Sequence, residues 1–348
     1  MRADRLRLVL TLLLPAVCAA SLAAEPVPAP VEVRLVTDQA EAVLAILDKR
    51  RALQEVPEAD WRRLFASEGY VRLKAREAAM GVPFEDAAFR DFVLSADLAS
   101  RAGALAETLA KWRRGDPAAA ARRALAYLPA GARIRAKVYP VIKPKANSFV
   151  FDVKTDPAIF LFLDPAVTPE RFENTLAHEL HHIGYGGVCP PPPVAAEIER
   201  LPEPVQTVLG WTGAFGEGIA MLAAAGGPDV HPHAVSEAKD RERWDRDVAR
   251  FAEDFRKVDR FFADVLAGRL GEEEATKVAL SFYGEQGPWY TVGWKMATTI
   301  EKTFGRERLL ESACDPRSFL KTYGEAARKA GGGGWSAEVL RALSVPSV

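Results

Sequence analysis

Between Ala132 and Asp164 the chain changes its period, and this change limits the fold more tightly than any other feature of the sequence. Three short runs, RIRAKVYPVI, NSFVFDV and AIFLFLD, are rich in Val, Ile and Phe and are parted by Pro, Lys, Asn and Asp. Such runs predict the strands of a small sheet. On either side of them apolar residues recur at helical spacing. The chain therefore reads as α+β and predominantly helical, with its sheet confined to one short stretch.

Upstream, VEVRLV reads as a short strand, and Asp38 as the N-cap of a helix with Val43, Leu44, Ile46 and Leu47 on its apolar face. Helical patterns punctuated by Pro57, Pro83 and Pro117 continue to about Tyr127, and no His or Cys lies between residues 25 and 130. That stretch is expected to be a helical lobe that shapes a cleft, and residues 131–348 the domain that carries chemistry. Downstream, Thr168 and Pro169 open a helix expected to run through HELHH to about Gly184. CPPPPV is expected to be an extended loop, followed by a helix from about Val205 to Ala225. A longer helix carries Trp244, Val248, Phe251, Phe255, Val258, Phe262 and Val265 at alternating steps of four and three. That spacing suits a coiled-coil seam, but so short a seam more often packs on its own domain. Oligomeric state is not read from it.

The first residues combine Arg2, Arg5 and Arg7 with an apolar run from Leu8 to Ala20 and small residues at Ser21, Ala23 and Ala24. This order predicts a secretory signal peptide over residues 1–24, a Pro-rich tether behind it, and a periplasmic or secreted mature protein. The apolar run falls short of the roughly 20 residues a membrane span needs, and no later segment reads as one. The residues before Cys18 match a lipobox poorly. Removal of the leader leaves Cys189 and Cys314, which in an oxidising compartment are a candidate disulfide, with two buried free thiols as the alternative. A formal net charge of −1, with both signs interspersed, offers no basic face, which sets nucleic acid aside as a partner.

His178 and His182 are four residues apart on the expected helix, so both imidazoles project from one face and can hold one metal ion. Zinc suits imidazole, and an open coordination position would let a water lose its proton near neutral pH. Glu179 stands beside them as the base for that proton. His181 points off this face. A third ligand is required, and Glu217 in GAFGEGIAML is the better candidate: its helix is otherwise apolar or small, and a buried carboxylate must be paired, neutralised or bound to a metal. A salt bridge from Glu217 to an Arg remains the alternative, and His231 and His233, flanking Pro232, are the other possible ligands.

With these residues in place the chain resembles the gluzincin metallopeptidases, in which the two histidines of HExxH and a Glu on a later helix bind zinc; the matching residues are His178, Glu179, His182 and Glu217. AHELHHIGYG, GEGIA and WYTVGWKMATTIE are similar, more particularly, to an uncharacterised bacterial family of zinc-dependent peptidases in that group, over roughly residues 130 to 325. The resemblance implies zinc as cofactor, a gluzincin-like catalytic domain, and a peptide or protein substrate. For the oxyanion formed in peptide hydrolysis, Tyr290 is the first candidate donor and His231 the second. Two rival readings keep the metal: a zinc-binding envelope protein without turnover, and an amidase acting on cell-wall material. AIFLFLD, placed just before the metal helix, is expected to border the cleft as an edge that pairs with an extended substrate.

Overall fold

The computed structural model describes residues 30–344. The expected leader over residues 1–24 lies outside the described residues. The described chain opens with β1 (Val31–Leu35), then α1 (Asp38–Arg51), α2 (Glu58–Phe65), α3 (Glu68–Ala79), α4 (Asp86–Val93), α5 (Ala96–Trp112) and α6 (Pro117–Leu125). Strands β2 (Ile134–Val141), β3 (Phe149–Phe151) and β4 (Ala158–Phe162) follow, and then α7 (Pro169–Gly186), which carries HELHH. Next come α8 (Pro192–Ile198), α9 (Glu203–Thr212), a 3-10 turn at Gly213–Phe215 and α10 (Gly216–Ala225). The chain continues through α11 (Ala238–Ala249), α12 (Phe251–Leu266), α13 (Glu272–Ser281) and α14 (Pro288–Phe304). It closes with α15 (Arg306–Ala313), α16 (Pro316–Lys329) and α17 (Ala337–Ala342). The protein is thus predominantly helical with one small sheet.

The sheet has the order β1-β2-β4-β3, parallel except for the antiparallel β3–β4 pair. This corrects the expectation for AIFLFLD. β4 is bonded on both sides, to β2 and to β3, so it has no free edge to offer a substrate. The short run FVF turns back and covers it. Side chains alternate between the two faces as a pleated strand requires. Ile134, Ala136, Val138, Ile159 and Leu161 enter a core shared with α1, α5, α6 and α7. Tyr139, Val141, Ala158 and Phe160 face the other way, onto Leu73 of α3.

The first core draws residues from both sides of position 130, including Val43, Ile46 and Leu105 from the N-terminal helices and Leu176, Leu180 and Ile183 from α7. A second core gathers α9 to α17 around Phe215, Phe262, Trp289 and Trp335. Tyr127 ties the two together. Its hydroxyl donates to Glu301 at 3.1 Å and accepts from Arg306 at 2.7 Å, while its carbonyl lies 3.2 Å from His181 on α7.

Local chemistry explains most element boundaries. Thr168 caps α7 by accepting from the Arg171 amide at 3.2 Å, with Pro169 in the first turn, where its missing N–H costs nothing. Asp38, expected as an N-cap, is instead the first residue of α1, and its carboxylate accepts from the amides of Glu68 and Gly69, which open α3. It caps a neighbouring helix, and its Oδ1 also accepts from the Gln39 amide in its own first turn at 2.8 Å. CPPPPV is not wholly a loop, because Pro192 and Pro193 begin α8, a position that proline tolerates. The expected long helix breaks at Arg250 into α11 and α12, and its apolar residues Trp244, Phe255, Val258, Phe262 and Val265 are buried within the chain's own fold. Glu203–Ala225 is, contrary to expectation, long and apolar enough to pass for a membrane span by length and composition. However, 67% of its most apolar window is buried inside the fold, as in the core helix of a globular protein.

Candidate metal centre

The centre forms where α7 and α10 lie side by side and α14 crosses behind. Leu176, Ala177, Leu180 and Ile183 turn one face of α7 into the first core, which leaves His178 and His182 on the opposite face toward α10. Two glycines bring α14 close. A Cβ at Gly218 would lie 2.0 Å from the Trp294 amide nitrogen and 2.6 Å from the Tyr290 carbonyl, and one at Gly293 would lie 2.6 Å from the Phe215 carbonyl. Backbone therefore meets backbone at this crossing, and Glu217 is held beside both α7 and Tyr290.

His178 Nε2 and His182 Nε2 are each 3.2 Å from Glu217 Oε2, and 3.1 Å from one another. Zinc held tetrahedrally at about 2.1 Å from its ligands sets them roughly 3.4 Å apart, so the triangle fits such an ion to within a few tenths of an ångström. The donor set fits zinc chemically as well: two imidazoles and one carboxylate, with room for a fourth partner on the cleft side. Two imidazole nitrogens this close repel each other whether both or neither carry protons, and a cation between them relieves this. Burial works against the charge on Glu217, but the two histidines outweigh it and hold its carboxyl well below the ordinary range. Burial also works against a charge on His182, yet its bond to Glu217 raises its pKa.

His181 is fully buried on another side of α7. Burial pushes its pKa down to about 3, so its ring is neutral and Nε2–H donates to the Tyr127 carbonyl. It acts as a brace between α7 and the Tyr127 network. Glu179 is half-buried and opens into a cleft of about 230 Å³ that it shares with His178 and Tyr290. The Tyr290 ring stacks on His178 with centroids 6.4 Å apart. Burial above all, and then the nearby Glu217 and Glu179 carboxylates, push the Tyr290 pKa far up, so its hydroxyl stays protonated.

His231, the second candidate for the oxyanion, is not part of this cleft: its Nε2 pairs with Asp245 at 3.0 Å and its Nδ1 accepts from the His233 amide at 2.9 Å. The cleft is lined instead by His233, Ser236 and Gln286, which come from loops, and by Arg171 and Met221. Sequence reasoning did not single out Arg171, Ser236 or Gln286. One signal near them was readable, since Gln286-Gly287-Pro288 marks a turn that opens α14 just before Tyr290. Gln286 itself sits at φ +64°, a backbone conformation uncommon outside glycine.

No match is found among curated proteins or among solved structures. A family model does match, over residues 101–332, a span that holds α7, α10 and α14 with every residue of the triangle. The chain belongs to that family, described as "Putative zinc dependent peptidase (DUF5700)".

Proposed function

We propose that the protein is an exported zinc peptidase of gluzincin type, in which His178, His182 and Glu217 hold the ion and Glu179 is the general base. The observation that carries this reading is the convergence of two Nε2 atoms and one Oε2 within 3.1–3.2 Å of each other, with His178 of this set lining the same cleft as Glu179. Zinc at such a site supplies Lewis acidity that makes water a nucleophile near neutral pH. Glu179 takes the proton of the attacking water and passes it to the leaving amine. Tyr290, which lines the cleft with its ring stacked on His178, donates to the developing oxyanion. Its raised pKa supports this role, because a tyrosinate could not donate. Export rests on the leader sequence and is supported by the disulfide between Cys189 and Cys314, a bond that persists in oxidising compartments.

The test is zinc analysis of the purified mature protein coupled to a proteome-derived peptide cleavage screen, run beside Glu179→Gln. About one zinc per chain in both proteins is expected, with cleavage lower in the variant by roughly 10²–10⁴-fold. A variant that cleaves as well as the wild type would remove the mechanism, and zinc without any cleavage would favour a binding protein.

A further inference from the structure

A second cavity, of about 350 Å³ and mostly apolar, is lined by residues that neighbour the metal-centre positions along α7 and α10. Its walls include Tyr185 of α7, Ala195 and Ile198 of α8, and Gly213, Gly216 and Ile219 around the start of α10. From its geometry we infer that this cavity receives a large apolar side chain of the substrate, such as Leu, Met or Phe. The inference rests on the peptidase reading for the identity of its ligand.

The first argument is position. On α7, residues Arg171 to Glu179 line the metal cleft and Tyr185 lines the cavity; on α10, Met221 lines the cleft while Gly216 and Ile219 line the cavity. The two helices run in opposite senses here, and on α7 His182 falls between the residues that line the two spaces. At a rise of about 1.5 Å per residue, Tyr185 stands roughly 4.5 Å beyond His182 along the helix. An extended peptide advances about 3.3 Å per residue, so one or two residues of substrate span that step along the helix.

The second argument is the glycines. Gly210, Gly213 and Gly216 recur at steps of three along the wall, and a Cβ built on any of them meets nothing within 4 Å. Gly218 and Gly293, by contrast, are required by helix contact. Glycine weakens a helix relative to alanine, and at these three positions no packing demands it; what they do is keep the space open. The third argument is bracing. The Tyr185 hydroxyl donates to the Ala313 carbonyl at 2.8 Å, and the adjoining Cys314 is bonded to Cys189 at the mouth of α8. The wall is therefore tied to the metal helix on one side and to the disulfide on the other, which gives the cavity a fixed shape.

The experiment measures, by calorimetry, binding of N-acetyl-phenylalanine hydroxamate and N-acetyl-alanine hydroxamate to the zinc-loaded protein, with zinc content and helicity recorded in parallel. Alongside, the fluorescence of N-phenyl-1-naphthylamine is followed in the zinc-free protein. The phenylalanine compound is expected to bind at least about tenfold more tightly than the alanine one, from the apolar area it buries. Filling the cavity with Gly213→Leu plus Gly216→Leu, or from the facing wall with Ala195→Phe, should bring that ratio close to one and abolish the dye signal. The inference is overturned if the wild type shows no preference, or if preference and dye signal survive in both variants. The dye needs no zinc, so it decides on the cavity even where the metal reading fails. A protein that prefers the phenylalanine compound but cleaves no peptide would contradict the peptidase reading and support the cavity. Cleavage without apolar preference would do the reverse.

Discussion

Replacing Gly218 with alanine should destabilise the protein and loosen its metal centre, whereas the same change two residues earlier should do neither. The added methyl carbon at 218 would stand 2.0 Å from the Trp294 nitrogen, 2.4 Å from the Gly293 carbonyl carbon and 2.6 Å from the Tyr290 carbonyl oxygen, all of them backbone atoms of α14. Ordinary contact begins at 3.4 Å, so α10 and α14 must part by about an ångström or more. Overpacking costs about 1–3 kcal/mol, and with only backbone to yield the upper end applies. Alanine's better helix propensity returns about 1 kcal/mol. For a chain of this length the net loss of about 2 kcal/mol corresponds to a fall in melting temperature of roughly 3 °C. Gly216→Ala meets no atom within 4 Å and should raise the melting temperature slightly. Because Glu217 moves with α10, Gly218→Ala should also weaken zinc binding. Thermal unfolding of the zinc-free proteins by circular dichroism, with chelator competition for zinc, measures both effects. If Gly218→Ala melts at or above Gly216→Ala, the close helix crossing is not what holds the centre together.

Two further outcomes follow from residues outside the centre. Cys189 and Cys314 close a loop of sequence separation 125, so the chain-entropy account predicts a loss of about 5 kcal/mol in the Cys189→Ser, Cys314→Ser double variant. An unchanged denaturant midpoint without reductant would refute that. Lys143 is buried, with its ammonium group on the Lys145 carbonyl and the Asn147 side chain, and burial pulls its pKa from 10.5 down to about 8. The unfolded chain keeps this proton to higher pH than the folded one, so the stability contributed by Lys143 rises as pH climbs from about 8 to about 10.5. The denaturant midpoint of the wild type should gain on that of Lys143→Met over this window, and a gap that moves the other way would contradict the assignment.

What could be read from the sequence was what local chemistry settles. Thr168-Pro169 fixed the start of α7, the four-residue step from His178 to His182 put both rings on one face, and a carboxylate in an otherwise apolar helix marked Glu217. What could not be read depends on partners distant in the chain. AIFLFLD carries no sign that a three-residue strand will cover its edge, and Asp38 none that the α3 amides will take its carboxylate. His233 and Gln286 reach the cleft on loops that lack any period. The membrane-like apolarity of Glu203–Ala225 has the same origin as its role: about two-thirds of its most apolar window packs in the interior, and it carries one carboxylate toward the two histidines.

The central claim is that Glu217 completes a zinc site with His178 and His182. Zinc affinity of the folded protein, measured by chelator competition on the wild type, His178→Ala and Glu217→Ala, tests it most directly. Loss of at least about 100-fold is expected in both variants, since each removes one of three protein ligands. If His178→Ala abolished binding while Glu217→Ala left it unchanged, Glu217 would not be a ligand, and His233, which lines the same cleft, would take its place in the search.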